Sequence, residues 1–173
     1  MDYVVDTSAV IEKVVSKLIK EDKVKGSILI PNAVVAELEN QANYGHEIGF
    51  VGLEELQEIQ ELAKKDVKIK VEFIGKRPTE TQIKFAKSGE IDALIRELAF
   101  GKNATLITAD RVQAESAKVY GINVHFLEKK KLKERLEIER FFDPITMSIH
   151  LKENCVPRAK KGKPGDWKLV EIK

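Results

Sequence analysis

Soft chemistry is almost absent from this chain, which has one cysteine and three histidines in 173 residues. Cys155 cannot form an internal disulfide, and no Cys-x-x-Cys or Cys/His zinc spacing exists. No His or Lys flanks it, so the thiol reads as packed or incidental rather than nucleophilic. Long apolar runs are missing as well. No stretch approaches the roughly 20 residues needed to cross a bilayer. The N-terminus enters a strand pattern at once, without a basic region, so no signal peptide is expected and the chain reads as soluble and cytoplasmic. There is no Gly-x-Gly-x-x-Gly after a strand and no Gly-x-x-x-x-Gly-Lys-[Ser/Thr], which leaves dinucleotide and P-loop binding unsupported. No period of about 20 to 50 residues repeats, so the chain is not a solenoid. One-sided charge is also lacking: the net charge of +2 is too small to imply a nucleic-acid partner, and the clustering of the basic residues matters more.

What is present suits one α/β domain with a short extension. Hydrophobic residues reach 43% and aromatics only 6%, the balance of an aliphatic core. Charged residues make up 34%, chiefly Lys and Glu, above the roughly 25% of average domains, as in a thermophile's intracellular protein.

The chain is organised around its first eight residues. Tyr3-Val4-Val5 is a buried strand that runs straight into Asp6-Thr7-Ser8 and then into a helix carrying Ala9, Val10, Val14 and Leu18. In an open parallel sheet, ligands sit outside the carboxyl ends of the strands, so Asp6 stands where chemistry is expected. Taken alone, Asp6 or Ser8 reads first as a helix cap, and the repetition of the arrangement later in the chain overturns that reading. Ser27 to Ile30 is a second strand, with Pro31 starting the next helix. There Val34, Val35 and Leu38 form the apolar stripe and Glu37 sits at its edge. A loop over Asn43–Glu47 precedes a helix from Gly52 to Lys65, and Val67 to Ile74 alternates as a strand with one wet face. Thr79-x-x-Gln82 has the form of a capping box, opening a short helix to Lys87. Gly89 then precedes a helix in which Glu90 and Asp92 lie in the first turn, where the helix dipole alone would account for them.

The opening arrangement returns at Ala104-Thr105-Leu106-Ile107, followed by Thr108-Ala109-Asp110 and another helix. Two carboxylates at the ends of neighbouring parallel strands would face one crevice. Asn123 to Phe126 is a final short strand, and Lys129 to Phe142 reads as a basic helix. Ile145 to Leu151 and Trp167 to Ile172 read as strands able to pair as a hairpin around a basic loop, Pro157 to Gly165. Strands alternating with helices imply a three-layer α/β/α domain around a central parallel sheet, with a short C-terminal β-hairpin extension.

Together, Val4-Val5-Asp6-Thr7-Ser8, Glu37, Gly89-Glu90-Ile91-Asp92-Ala93 and Leu106-Ile107-Thr108-Ala109-Asp110 resemble the PIN-domain nucleases. The match covers residues 1–127, leaving 128–142 as a basic linker and 143–173 as an extension. The resemblance implies four acids, Asp6, Glu37, Asp92 and Asp110, that bind Mg²⁺ or Mn²⁺ and cleave single-stranded RNA, with DNA left open. Ser8 and Thr108 would be their polar neighbours, and Glu90 stands in reserve for Asp92. The physics agrees. Converging carboxylates repel and raise one another's pKa, a penalty that a hard divalent cation removes. Two such ions roughly 4 Å apart suit an in-line phosphodiester attack.

The segments Phe142–Lys152 and Ala159–Gly165 are similar to the stretch that follows the PIN domain in archaeal proteins continuing into an ATPase and a KH domain. The expectation is therefore the N-terminal part of a longer, homo-oligomeric protein. A toxin–antitoxin ribonuclease, a non-catalytic nucleic-acid-binding module and a ring-assembly module are the alternatives. Arg158, Lys160, Lys161 and Lys163, with Trp167 nearby, could hold a phosphate backbone and stack one base, or form only a solvated loop.

Overall fold

The computed structural model describes residues 1–79, 83, 89–128 and 136–172, and the chain divides into two compact units, Met1–Lys129 and Lys130–Lys173. In the first unit, β1 (Asp2–Val5), β2 (Gly26–Pro31), β3 (Ile69–Ile74), β4 (Thr105–Thr108) and β5 (Val124–Phe126) form one sheet. Every neighbouring pair is parallel, and the order is β3-β2-β1-β4-β5. The three central strands are continuous apolar runs because both of their faces are covered. Val4, Val5, Ile28, Ile30, Leu106 and Ile107 are fully buried. Among the described residues the helices are α1 (Thr7–Ile11), α2 (Val14–Lys20), α3 (Asn32–Asn43), α4 (Glu47–Lys65), α5 (Glu90–Gly101) and α6 (Arg111–Val119). They flank the sheet to give the three-layer domain that the sequence implies. The strand order reverses between β1 and β4, and such a switch point is where open α/β sheets leave a crevice.

Three local differences from the sequence reading have physical causes. The helix expected to run continuously from Ala9 to Leu18 is broken, with Lys13 in the left-handed region at φ 52°. The new helix start at Val14 is capped from outside: Glu55 of α4, fully buried, accepts from the Ser16 amide and the Ser16 hydroxyl, each at 2.9 Å. Helix α4 begins at Glu47 rather than Gly52, so Gly49 and Gly52 lie within it and face α3. Strand β3 starts at Ile69 because the Asp66 carboxylate accepts from the Lys68 amide at 2.9 Å and turns the chain, leaving Val67 wholly exposed. Of the short helix expected to open at Thr79 and reach Lys87, only Thr79 and Ile83 are described, with the Ile83 amide bonding the Thr79 carbonyl at 3.0 Å.

The second unit is a three-stranded antiparallel sheet of β6 (Thr146–His150), β7 (Arg158–Lys163) and β8 (Asp166–Glu171), in the order β6-β7-β8. The basic stretch expected as a loop is thus the central strand, and the two outer strands pair with it rather than with each other. Ala159 anchors β7, fully buried between Ile149 and Val170. Of the expected basic helix, 129–135 lie outside the described residues, and Glu137–Phe141 forms a short 3-10 turn. Among the described residues no helix is long and apolar enough to cross a membrane.

Candidate active site

The chain leaves β1 at Val5 and turns into α1 through Asp6, whose amide bonds the Ile107 carbonyl of β4 at 3.0 Å. That bond fixes the Asp6 backbone beside the end of β4. The Asp6 side chain occupies the N-cap position of α1 but makes no capping hydrogen bond. Instead its Oδ2 accepts from the hydroxyls of Ser8, at 2.5 Å, and Thr108, at 2.7 Å. The two hydroxyls also meet each other at 3.1 Å, and Ser8 Oγ accepts from the Ala109 amide at 2.9 Å. Asp6 is only 2% exposed. Burial raises its carboxyl above the ordinary Asp range, and the two hydroxyl bonds offset part of that rise.

The other three acids arrive from separate elements. Glu37, half-buried on α3, accepts from the Thr7 hydroxyl at 2.7 Å. Its pKa is raised chiefly by burial, then by the negative charges of Asp6 and Asp92. Asp92, half-buried in the first turn of α5, is raised by burial and by Asp6 and Asp110, while Arg96 pulls it down. Asp110 is exposed at the start of α6 and, unlike Asp6, does cap its helix. Its Oδ1 accepts from the amides of Val112, at 2.6 Å, and Gln113, at 3.1 Å.

These four carboxylates line a single open cleft of about 490 Å³, together with Thr7, Ser8, Asn40 and Gln41. Glu90, the reserve for Asp92, is exposed and does not line it. Among the described residues no three acidic, histidine or cysteine side chains close on one point tightly enough to hold a metal ion as they stand. The cleft therefore gathers acids that repel one another, three of them tethered by hydrogen bonds to Ser8, Thr108, Thr7 and the α6 amides. Such an anionic crevice, made of hard oxygen donors, fits a divalent cation better than a neutral ligand.

The sequence matches the PIN domain model over residues 3–119. The chain belongs to the PIN-domain family. Members of that family are generally metal-dependent nucleases. A KH and PIN-domain containing protein of Methanocaldococcus jannaschii is 51% identical over 169 residues, which span 97% of this chain and 26% of the relative. The Holliday junction branch migration ATPase PINA of Sulfolobus acidocaldarius is 30% identical over 171 residues, 99% of this chain and 31% of that protein. This chain thus spans between a quarter and a third of the curated relatives it matches. A solved domain from Methanocaldococcus jannaschii superposes with a TM-score of 0.72 at 47% identity, covering 78% of this chain and 96% of that domain.

Within this PIN domain, sequence reasoning passed over three residues that hold the acids in place. Thr7 tethers Glu37, and Gln113 and Arg96 join α6 to α5. Gln113 was visible as a polar residue inside the small apolar stripe of α6, beside Ala114 and Ala117. The basic residues named from the sequence separate on β7. Arg158 and Lys160 alternate with Lys161 and Lys163, so the two pairs project from opposite faces of the small sheet. The Lys160 ammonium lies 3.9 Å over the Trp167 ring, and Lys161 reaches the Asp143 carboxylate at 2.5 Å.

Proposed function

We propose that the protein is an endoribonuclease that hydrolyses phosphodiester bonds of single-stranded RNA, with Asp6, Glu37, Asp92 and Asp110 holding Mg²⁺ or Mn²⁺. The observation that carries this reading is the convergence of four carboxylates from four elements on one cleft at the sheet's switch point. A divalent cation supplies charge neutralisation at the phosphate and acidifies water, which is the chemistry that in-line hydrolysis needs. The chain's own part is preorganisation. Ser8 and Thr108 keep Asp6 in one rotamer, Thr7 does the same for Glu37, and the α6 amides fix Asp110. Three of the four acids are thereby held ready without relying on the substrate to order them. The uncharged amides of Asn40 and Gln41 at the cleft rim offer hydrogen bonds to unpaired bases.

The longer relatives carry names that include a KH domain and a branch migration ATPase. We infer that this PIN domain works alongside such domains in a homo-oligomeric assembly, and that Arg158 and Lys160 with Trp167 guide a single strand on one face of the small sheet, Lys161 and Lys163 serving its other face. The test is cleavage of labelled single-stranded RNA, with single-stranded DNA and a four-way junction beside it, in Mn²⁺, Mg²⁺ or EDTA. Metal-dependent cutting of RNA that falls about 100-fold or more in Asp6→Asn is expected, since each tenfold corresponds to about 1.4 kcal/mol at the transition state. Full activity in Asp6→Asn would remove the proposed site, and cutting confined to DNA would replace the substrate.

A further inference from the structure

Gln113 is 1% exposed, although it stands in the first turn of a surface helix. Every polar group it offers has a partner. Its backbone amide donates to Asp110 Oδ1 at 3.1 Å. Its side-chain nitrogen donates to the Asp92 carbonyl at 3.0 Å, and its side-chain oxygen accepts from the Arg96 guanidinium at 2.5 Å. Arg96 lies one helical turn beyond Asp92, so both point to the same side of α5. Gln113 therefore touches the carboxylate of Asp110 through its backbone amide and the peptide of Asp92 through its side-chain amide, which also holds the Arg96 guanidinium beside Asp92.

We propose that Gln113 is a positioning residue that locks Asp92 and Asp110 into a single unit, with Arg96 as the partner that fixes its amide. This rests on the reading of the cleft as a cation site. A hydrophobic residue would fill the same buried space on α6 without tying α6 to α5 at the cleft. The amide's two ends also explain its orientation: the oxygen must face Arg96, which only donates, so the nitrogen must face the Asp92 carbonyl, which only accepts. The lock fixes the Asp92 backbone relative to the Asp110 carboxylate before any ligand arrives.

The lock is tested by Mn²⁺ binding, followed by electron paramagnetic resonance of free Mn²⁺, and by the metal-free melting temperature. The proteins are wild type, Gln113→Met, Arg96→Met, Arg96→Lys and the double Met variant. Gln113→Met keeps the volume and removes both side-chain hydrogen bonds. Its Mn²⁺ dissociation constant is expected to rise about 10- to 100-fold, the usual cost of losing a partner that orients a ligand. The double variant is expected to bind no worse than Gln113→Met, since the two residues act as one unit. Arg96→Lys, which keeps a charged donor, is expected to recover part of the loss. Wild-type affinity retained in Gln113→Met refutes the positioning role and leaves the cation site standing. If Gln113→Met does not fold, Arg96→Met decides: unchanged affinity there refutes the lock. Loss of melting temperature matched by no change in affinity shows a packing role alone and also refutes it. A wild type that binds no Mn²⁺ overturns the cation reading, and the proposal with it.

Discussion

Replacing Gly49 by alanine sets two effects of opposite sign against each other, and the structure decides which wins. Gly49 lies in α4 with its Cα pressed against the backbone of α3. A methyl group built there would meet the Leu38 carbonyl oxygen at 2.6 Å and the Ala42 Cα at 2.9 Å, with the Ala42 amide nitrogen closer still. Carbon contacts settle at roughly 3.5–4.0 Å, so α3 would have to retreat by about 1 Å. All three contacts are backbone, which cannot rotate aside. Helix propensity favours alanine by about 0.5–1 kcal/mol, whereas overpacking costs about 1–3 kcal/mol. The expected net effect of Gly49→Ala is a loss of about 0.5–2 kcal/mol, or about 2–6 °C in melting temperature for a domain of this size. Activity should suffer more than stability. Glu37 rides on α3 beside Leu38, and a misplacement of about 1 Å at a catalytic group costs on the order of 100-fold in rate. Thermal melting and metal-dependent cleavage of single-stranded RNA, run on the same preparation, check both halves. A Gly49→Ala protein that melts higher than wild type and cuts as fast would show that α3 is free to shift, and would refute the reasoning. Gly52 is the contrast, because the nearest atoms to an added methyl there belong to the Leu38 side chain rather than to backbone, one terminal carbon at 2.9 Å and the other closer still.

Two further outcomes follow from charge and exposure. Burial raises the carboxyls of Asp6, Glu37, Glu55 and Asp92, so between their unfolded values near 4 and their native values the folded state holds protons that the unfolded chain has lost. Stability should therefore fall as pH rises through that window. The carboxyls of Glu21, Asp22, Glu58 and Glu61 are lowered by lysine partners, and Asp143, beside Lys161, is lowered to about 2, so these act only at lower pH. Metal-free protein is expected to melt higher just above about pH 4 than at neutral pH, with saturating Mn²⁺ flattening the difference; a metal-free melting temperature that climbs steadily over this range would contradict the sign. In the second unit, Trp167→Ala removes a ring that is 49% exposed and carries the Lys160 ammonium. It should weaken single-strand binding by about 1–3 kcal/mol while leaving the salt dependence of binding almost unchanged, and titrations by fluorescence anisotropy at two salt concentrations separate these terms.

The parts of the site that local sequence determines were readable in advance. Asp6 and Asp110 each follow an apolar strand and precede a helix, and both positions follow from the order of residues alone. Glu37 and Asp92 could be placed on helix faces, but only the reversal of strand order brings those faces to one crevice. What was not readable depends on contacts distant in sequence. The break at Lys13 is invisible to helical periodicity because the group that caps the new start is Glu55, in another helix. Strand β7 reads as a loop since Arg158-Ala159-Lys160-Lys161-Gly162-Lys163 is poor in strand formers, yet pairing on both edges overrides its weak propensity. Gln113 and Arg96 are ordinary helix residues until the fold brings them within hydrogen-bond reach of each other.

The bond from Thr108 to Asp6 spans 102 residues. During synthesis, β1, β2 and β3 can pair among themselves as soon as they emerge, since each neighbours the next. At that stage the growing chain carries Asp6 and Glu37 but neither of the other two acids, and Asp6 has only the Ser8 hydroxyl of the two that steady it. Only when β4 slots in beside β1 does the crevice gain its second wall. Whatever chemistry the cleft performs is therefore beyond the first three strands alone, and begins once Asp110 has joined the rest.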